Sequence, residues 1–211
     1  MVIGILIALQ INNWNENRKL LQIKKVYIKN ILQDLASDTV NINEMIDFCN
    51  TGQHRISEYF NFFDVNNINI SSAEFLDSAR RAEHCCLRYF PVNSTFQEMQ
   101  ASGHLKLLSK KSRDALIALE HQQEFDQIRN DRMISNWLSR WEQFKNFYPA
   151  TEKGKSYFTH RKIYSKHDSE MALFHFHHVL ESNNAVLQST KNGVSRVKNQ
   201  IMEITELLHN E

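Results

Sequence analysis

Apolar residues recur every three or four positions over most of this chain. In its first part they run Ile28, Ile31, Leu35, Thr39, Ile42, Ile46, Cys49, Gln53, Ile56, Phe60 and Phe63. Alternating steps of three and four trace one stripe of a helix, so the segment predicts a seam packed on partner helices. The pattern extends backward through Ile23 and Leu20 to the first residues, with no proline and only Gly4 and Gly52 inside it. One helix is therefore expected from the N-terminus to about Phe63, with Gly52 as the natural place for a kink. The stretch 64–70 is rich in Asp and Asn and ends it.

The later segments read as helices too. Ser71 or Ser72 offers an N-cap for a short helix over 73–86, and Asn93, Ser94 and Thr95 offer another for a two-turn helix over 96–102. Gly103 supplies its left-handed stop. A long helix is expected over 109–147, with Ile117, His121, Phe125, Ile128, Ile134, Trp137, Trp141, Phe144 and Tyr148 on one face and Pro149 ending it. Residues 150–166 read as a loop. A helix from Asp168 or Ser169 to Leu180 follows, then a break at Ser182, Asn183 and Asn184. The last helix carries Leu187, Thr190, Val194, Val197, Ile201, Ile204 and Leu208. Period-two runs are confined to 67–70, too short for a sheet. The fold class is all-α: a long N-terminal helix continuing as a stalk and packed in an antiparallel helical bundle.

The first residues depart from this amphipathic pattern. Val2, Ile3, Ile5, Leu6, Ile7, Leu9 and Ile11 form an almost wholly apolar run. It breaks into Asn12, Asn13, Trp14, Asn15, Glu16, Asn17, Arg18 and Lys19. Trp14 stands where an indole lies at headgroup level, with cations just beyond. The run covers about half of the roughly 20 residues a span requires. It reads as the outer part of a membrane helix rather than a signal peptide, which would begin with a basic region. The rival reading makes Ile3, Leu6, Ile7 and Gln10 the start of a soluble helix. The expected organisation is a partial transmembrane segment and interfacial boundary over 1–19, then a helical stalk and bundle over 20–211.

The string from Val2 to Glu16, VIGILIALQINNWNE, resembles the hallmark of an uncharacterised family of bacterial single-span membrane proteins, a domain of unknown function. A second resemblance lies in 90–103, FPVNSTFQEMQASG, followed by HLKLL over 104–108. The resemblance implies a basic N-terminal segment, a span ending in this motif and a helical domain beyond it. This chain would then begin inside the span. No catalytic residue is known for the family, so none is carried over.

Composition adds exclusions more than assignments. The 211 residues hold 25 Lys and Arg against 24 Asp and Glu, interspersed along the chain, which leaves no electrostatic footprint for nucleic acid. Five glycines and two prolines are too few for a phosphate-cradling loop and favour long helices. The three cysteines, Cys49, Cys85 and Cys86, make no disulfide framework. In an oxidising compartment Cys49 has a choice of two partners; otherwise all three serve as small apolar residues.

Potential chemistry is sparse. His175 and His178 share a helix face, as do His178 and Glu181, but no matching E-x-x-H pair stands on the other long helices. His84, Cys85, Cys86 and His104 match no zinc spacing. There is no nucleophile elbow, and Glu120, Glu124 and Asp131 read as a solvated face. No catalytic, cofactor or metal site is expected, and the chain is read as a non-enzyme. Trp137, Trp141, Phe144 and Tyr148 form the most distinctive stripe, read as core or as a surface for an apolar ligand or partner helix with Arg140 at its edge.

Two functions follow. One is a membrane-anchored structural or interaction protein of the bacterial envelope, whose partners are the lipid bilayer and another protein or a second copy, met through the helical seams. The other is a ligand-sensing bundle with an aromatic-lined pocket. Arg18, Lys19, Lys24 and Lys25 place the soluble part in the cytoplasm by charge alone. The family's basic N-terminus reverses this, so the expected location is the inner membrane, single-pass, with the bundle in the periplasm.

Overall fold

The computed structural model describes residues 2–66, 87–147 and 169–211. Every regular element among them is helical: α1 (Val2–Asn66), α2 (Ser94–Ala101), a 3-10 turn (His104–Leu107), α3 (Lys110–Phe147) and α4 (Ser169–His209). The all-α class holds. The short helix expected over 73–86 and the loop over 150–166 lie outside the described residues.

α1 is one helix of 65 residues and passes through Gly52 without interruption. Its buried line is Ile31, Leu35, Asp38, Ile42, Met45, Cys49, Gly52, Ile56 and Tyr59, in unbroken steps of four and three. This corrects the seam read from the sequence. Ile31, Leu35, Ile42, Cys49 and Ile56 belong to it, but Thr39, Ile46, Gln53 and Phe60 flank it, half-buried. The true positions stand one residue earlier, at Asp38, Met45, Gly52 and Tyr59, and two of these are an aspartate and a glycine that apolarity alone passes over.

α4 is also unbroken, which corrects the expected break at 182–184. Ser and Asn lower helix propensity by only some tenths of a kcal/mol each, and no Pro or Gly stands there. Tertiary contacts offset that cost. Asn183 is fully buried in the line Phe176, Leu180, Asn183, Leu187 and Thr190, while Asn184 accepts a hydrogen bond from Gln53 Nε2 of α1 at 3.3 Å.

Two compact units divide the chain. The first comprises Met1–Ile42, Phe90–Gln123 and Arg196–Glu211; the second comprises Asn43–Tyr89 and Glu124–Ser195. In the first, α2 is seated by α1 rather than by its own cap residue. Asn93 makes no side-chain cap, and instead Asp34 Oδ2 accepts the Thr95 N–H at 2.9 Å and the Ser94 hydroxyl at 3.3 Å. A carboxylate thereby meets the positive end of the helix. Gly103 then turns the chain with φ of 70°, as its sequence position predicted. Ser109 caps α3 through its Oγ, which accepts the Ser112 N–H at 3.2 Å. Deeper in, the fully buried Asp38 accepts Gln123 Nε2 of α3 at 3.2 Å and the Val92 N–H at 3.3 Å.

In the second unit, rising α1 numbers meet falling α4 numbers. Gln53 bonds to Gln188 at 2.8 Å, and Tyr59 Oη lies 2.9 Å from His177 Nε2. α3 also runs against α4: Thr190 Oγ1 donates to Asn130 at 2.7 Å, and the Trp141 and Phe176 rings lie 6.5 Å apart. α4 is thus antiparallel to both long partners, while α1 and α3 run the same way, as a bundle with a long crossover requires. The face expected on the first half of α3 is also corrected. Phe125 and Ile128 are exposed and His121 lies outside, whereas Ser112, Leu116, Leu119, Gln123 and Asp126 are buried.

Candidate functional site: an exposed apolar helix end and a closed aromatic core

The first turns of α1 carry the apolar run into solvent. Every residue from Ile3 to Ile23 is exposed, and Ile3, Ile5, Leu6, Ile7, Leu9 and Ile11 each show more than half of their surface. A helix rotates about 100° per residue, so these side chains cover all sides of the rod rather than one stripe. The side chain of Val2 lies outside the described residues. A Cβ at Gly4 would meet nothing. Trp14 is 63% exposed, and the Arg18 guanidinium lies 5.9 Å from its ring centroid. The run from 2 to 11 rises about 15 Å, half the roughly 30 Å of a hydrocarbon core. Accordingly, no helix among the described residues is long and apolar enough to cross a membrane.

Within the first unit the fully exposed stretch ends at Lys24. There the Glu211 side chain accepts the Ser109 N–H at 2.9 Å and the Ser112 hydroxyl at 2.5 Å, and pairs with Lys24 Nζ at 2.5 Å. Burial pushes this carboxyl up, but its hydrogen bonds to Lys24, Ser109 and Ser112 together hold it at about 2. Next to this latch, Tyr27 Oη donates to Glu98 at 3.0 Å and sits 3.2 Å from His104 Nδ1.

The aromatic stripe closes on itself in the second unit. Trp137, Trp141 and Phe144 are buried, and Tyr148 lies outside the described residues. Trp141 packs edge-on to Phe144 at 5.3 Å, and Phe176 of α4 meets Phe144 at 5.4 Å and Tyr59 of α1 at 5.9 Å. Burial raises the Tyr59 phenol well above its ordinary value. The Trp137 Nε1–H is buried with no acceptor among the described residues, at a cost of about 1–3 kcal/mol. Phe176, the centre of this cluster, was absent from the sequence-derived stripe because it stands on α4, and periodicity within one helix does not show which side chain of another packs against it.

A groove of about 470 Å³ lies beside the cluster, lined by Met133, Asn136, Ser139, Arg140, Gln143, Ser182 and Ala185. Its walls mix polar and apolar side chains, and none of the seven is aromatic. Burial lowers the His175 pKa, with His178 and Arg140 adding to the effect, and His178 Nδ1 lies 3.1 Å from Glu181. Among the described residues no three His, Cys, Asp or Glu side chains converge as metal ligands. His84, Cys85 and Cys86 lie outside those residues. Cys49 is a free, buried thiol whose pKa burial pushes up to about 11, opposed by Lys191.

No curated protein and no solved structure matches this chain. A family model does match, over residues 1–155, and it takes in the exposed apolar end, the Asp34-seated α2 and all of α3. The chain belongs to that family, described as a family of unknown function (DUF6090).

Proposed function

We propose that this protein is a membrane-anchored helical protein of the bacterial envelope with a structural or protein-interaction role. One observation carries the reading: α1 presents apolar side chains on every side from Ile3 to Ile11 and then turns polar within one residue. A soluble helix buries one stripe and wets the other. An all-round apolar rod is stable only where its whole circumference leaves water, and exposed patches of that extent mark a membrane or a partner. Trp14, Arg18 and Lys19 follow in the order that headgroups favour. On this reading the anchor is single-pass in the inner membrane and the bundle faces the periplasm.

Vesicle flotation of the full chain tests the anchor. The chain should rise with phosphatidylethanolamine–phosphatidylglycerol vesicles, and the double variant Ile5→Glu/Leu9→Glu should stay below, because each buried carboxylate costs about 2.5–3.5 kcal/mol at mid-membrane. Both residues are exposed, so the helical circular dichroism should not change. A parent chain that stays at the bottom of the gradient sinks the proposal. For the orientation, an enzymatic reporter that works only outside the cytoplasm, fused after Glu211 of the complete gene, should be active.

A further inference from the structure

The buried line of α1 does not end where its neighbours do. Within the first unit it runs Ile42, Asp38, Leu35 and Ile31, and the same steps of four and three continue through Ile28, Lys24, Leu21, Asn17, Trp14, Gln10, Ile7 and Ile3. Every seventh residue of that line, Ile7, Trp14, Leu21, Ile28, Leu35 and Ile42, is apolar. From Lys24 onward α3 and α4 of the same chain fill the seam, and Glu211 marks the level at which they begin. Above it the seam is fully exposed among the described residues.

We propose that a second copy of this chain covers that open seam, its α1 parallel to the first and closest at Gln10. The proposal rests on the membrane reading, because two anchors entering one bilayer must point the same way. Gln10 decides between a copy and lipid alone. It is the one polar side chain between Val2 and Ile11, and it falls on the seam. In hydrocarbon an unpaired amide is costly, and a parallel pair brings Gln10 against Gln10, where each amide donates to and accepts from the other. Asn17 repeats the arrangement at the next polar seam position, and a buried amide on such a line fixes register and partner number. Contact is confined to residues above Lys24, since below it the seam is already taken, so the two helices cross and diverge toward the bundles.

The test is oxidative crosslinking of the full chain in vesicles, with the parent chain as the blank for its native cysteines. Ile7→Cys and Trp14→Cys, on the seam, should give dimer, whereas Ile5→Cys and Asn12→Cys, on the opposite face, should not. Gln10→Leu, read by fluorescence energy transfer on dilution in lipid, should weaken the dimer about eightfold, the usual worth of the two interhelical hydrogen bonds it removes. It should also float with vesicles as well as the parent does. Equal crosslinking on both faces, or none in chains that do float, overturns the dimer and leaves the anchor standing. An unchanged dimer in Gln10→Leu overturns the pairing at Gln10, and a parent chain that does not float overturns anchor and dimer together.

Discussion

Replacing Glu211 by Gln tests whether the latch below the exposed rod holds the first unit closed. The carboxylate is 6% exposed and accepts from the Ser109 N–H, the Ser112 hydroxyl and the Lys24 ammonium. Gln keeps the volume and one acceptor oxygen but removes the charge. Hydrogen bonds to an ionised acceptor are worth about 1.5–3 kcal/mol against about 1 for neutral ones, so the two serine bonds lose roughly 1 kcal/mol or more together. The Lys24 pair adds up to about 1 kcal/mol, and the carboxylate at the N-terminus of α3 a few tenths more. The expected loss is about 2 kcal/mol at pH 7, read as the difference between parent and Glu211→Gln in urea unfolding followed by circular dichroism. The pH dependence is a second, independent reading. The folded-state carboxyl titrates at about 2, below its ordinary value of 4.5. The unfolded chain therefore takes up the proton first. The contribution is complete above pH 4.5 and disappears as the pH falls through about 2. A gap that stays constant from pH 7 to pH 2.5, or a loss below about 0.5 kcal/mol at neutral pH, would refute the argument.

Three further outcomes follow from the cores of the two units. Phe176→Ala should cost about 3–5 kcal/mol in urea unfolding, because the ring is 1% exposed among Tyr59, Trp141 and Phe144, whereas Phe176→Leu should cost less than half as much. Gln123→Leu should destabilise by about 1–3 kcal/mol by withdrawing a donor from the buried Asp38, and the double variant Asp38→Leu/Gln123→Leu should lose less than the sum of the single changes. In a mass-spectrometric alkylation assay at pH 8, Cys49 should stay unlabelled in the native chain and react fully in urea. It is 1% exposed, and a thiol at about 11 is ionised in about one molecule per thousand at that pH.

What the sequence showed and concealed divides along one physical line. Periodicity finds helices and their apolar stripes, and it found α1, α2, α3 and the last turns of α4 with their approximate ends. It cannot find a polar residue that is buried because a partner on another helix satisfies it. Asp38 stood next to Thr39 in the pattern, and the Gln123 amide and the Val92 N–H explain why the aspartate is the one turned inward. Asn183 suggested a break for the same reason. On α3, Phe125 and Ile128 drew the stripe toward the wrong side, while the buried face there runs through Gln123 and Asp126, which pairs with Arg129 at 2.7 Å. The exposed apolar end of α1 was legible because it depends on local composition alone. The latch was not, since Lys24 and Glu211 are brought together only by the closed bundle.

Those buried polar residues also set how far the apolar end of α1 projects. A seam of Ile, Leu and Val alone lets a helix slide by one heptad at little cost, because each apolar side chain finds another apolar neighbour. Sliding α1 by seven residues against α3 would separate Asp38 from Gln123 and place a carboxylate among apolar side chains, an arrangement that costs several kcal/mol. It would also pull Lys24 from Glu211 and Asp34 from the N-terminus of α2. Three polar contacts along one helix therefore select a single register. That register fixes the projecting length, because α1 is continuous from Ile3 to the seam. One heptad is about 10 Å of helix, a third of a bilayer's hydrocarbon thickness. A slip of that size would bring Asn17 level with the latch, or carry Lys24 out beyond it. Polar residues that look misplaced in a helical core thus fix where the apolar end of α1 stands.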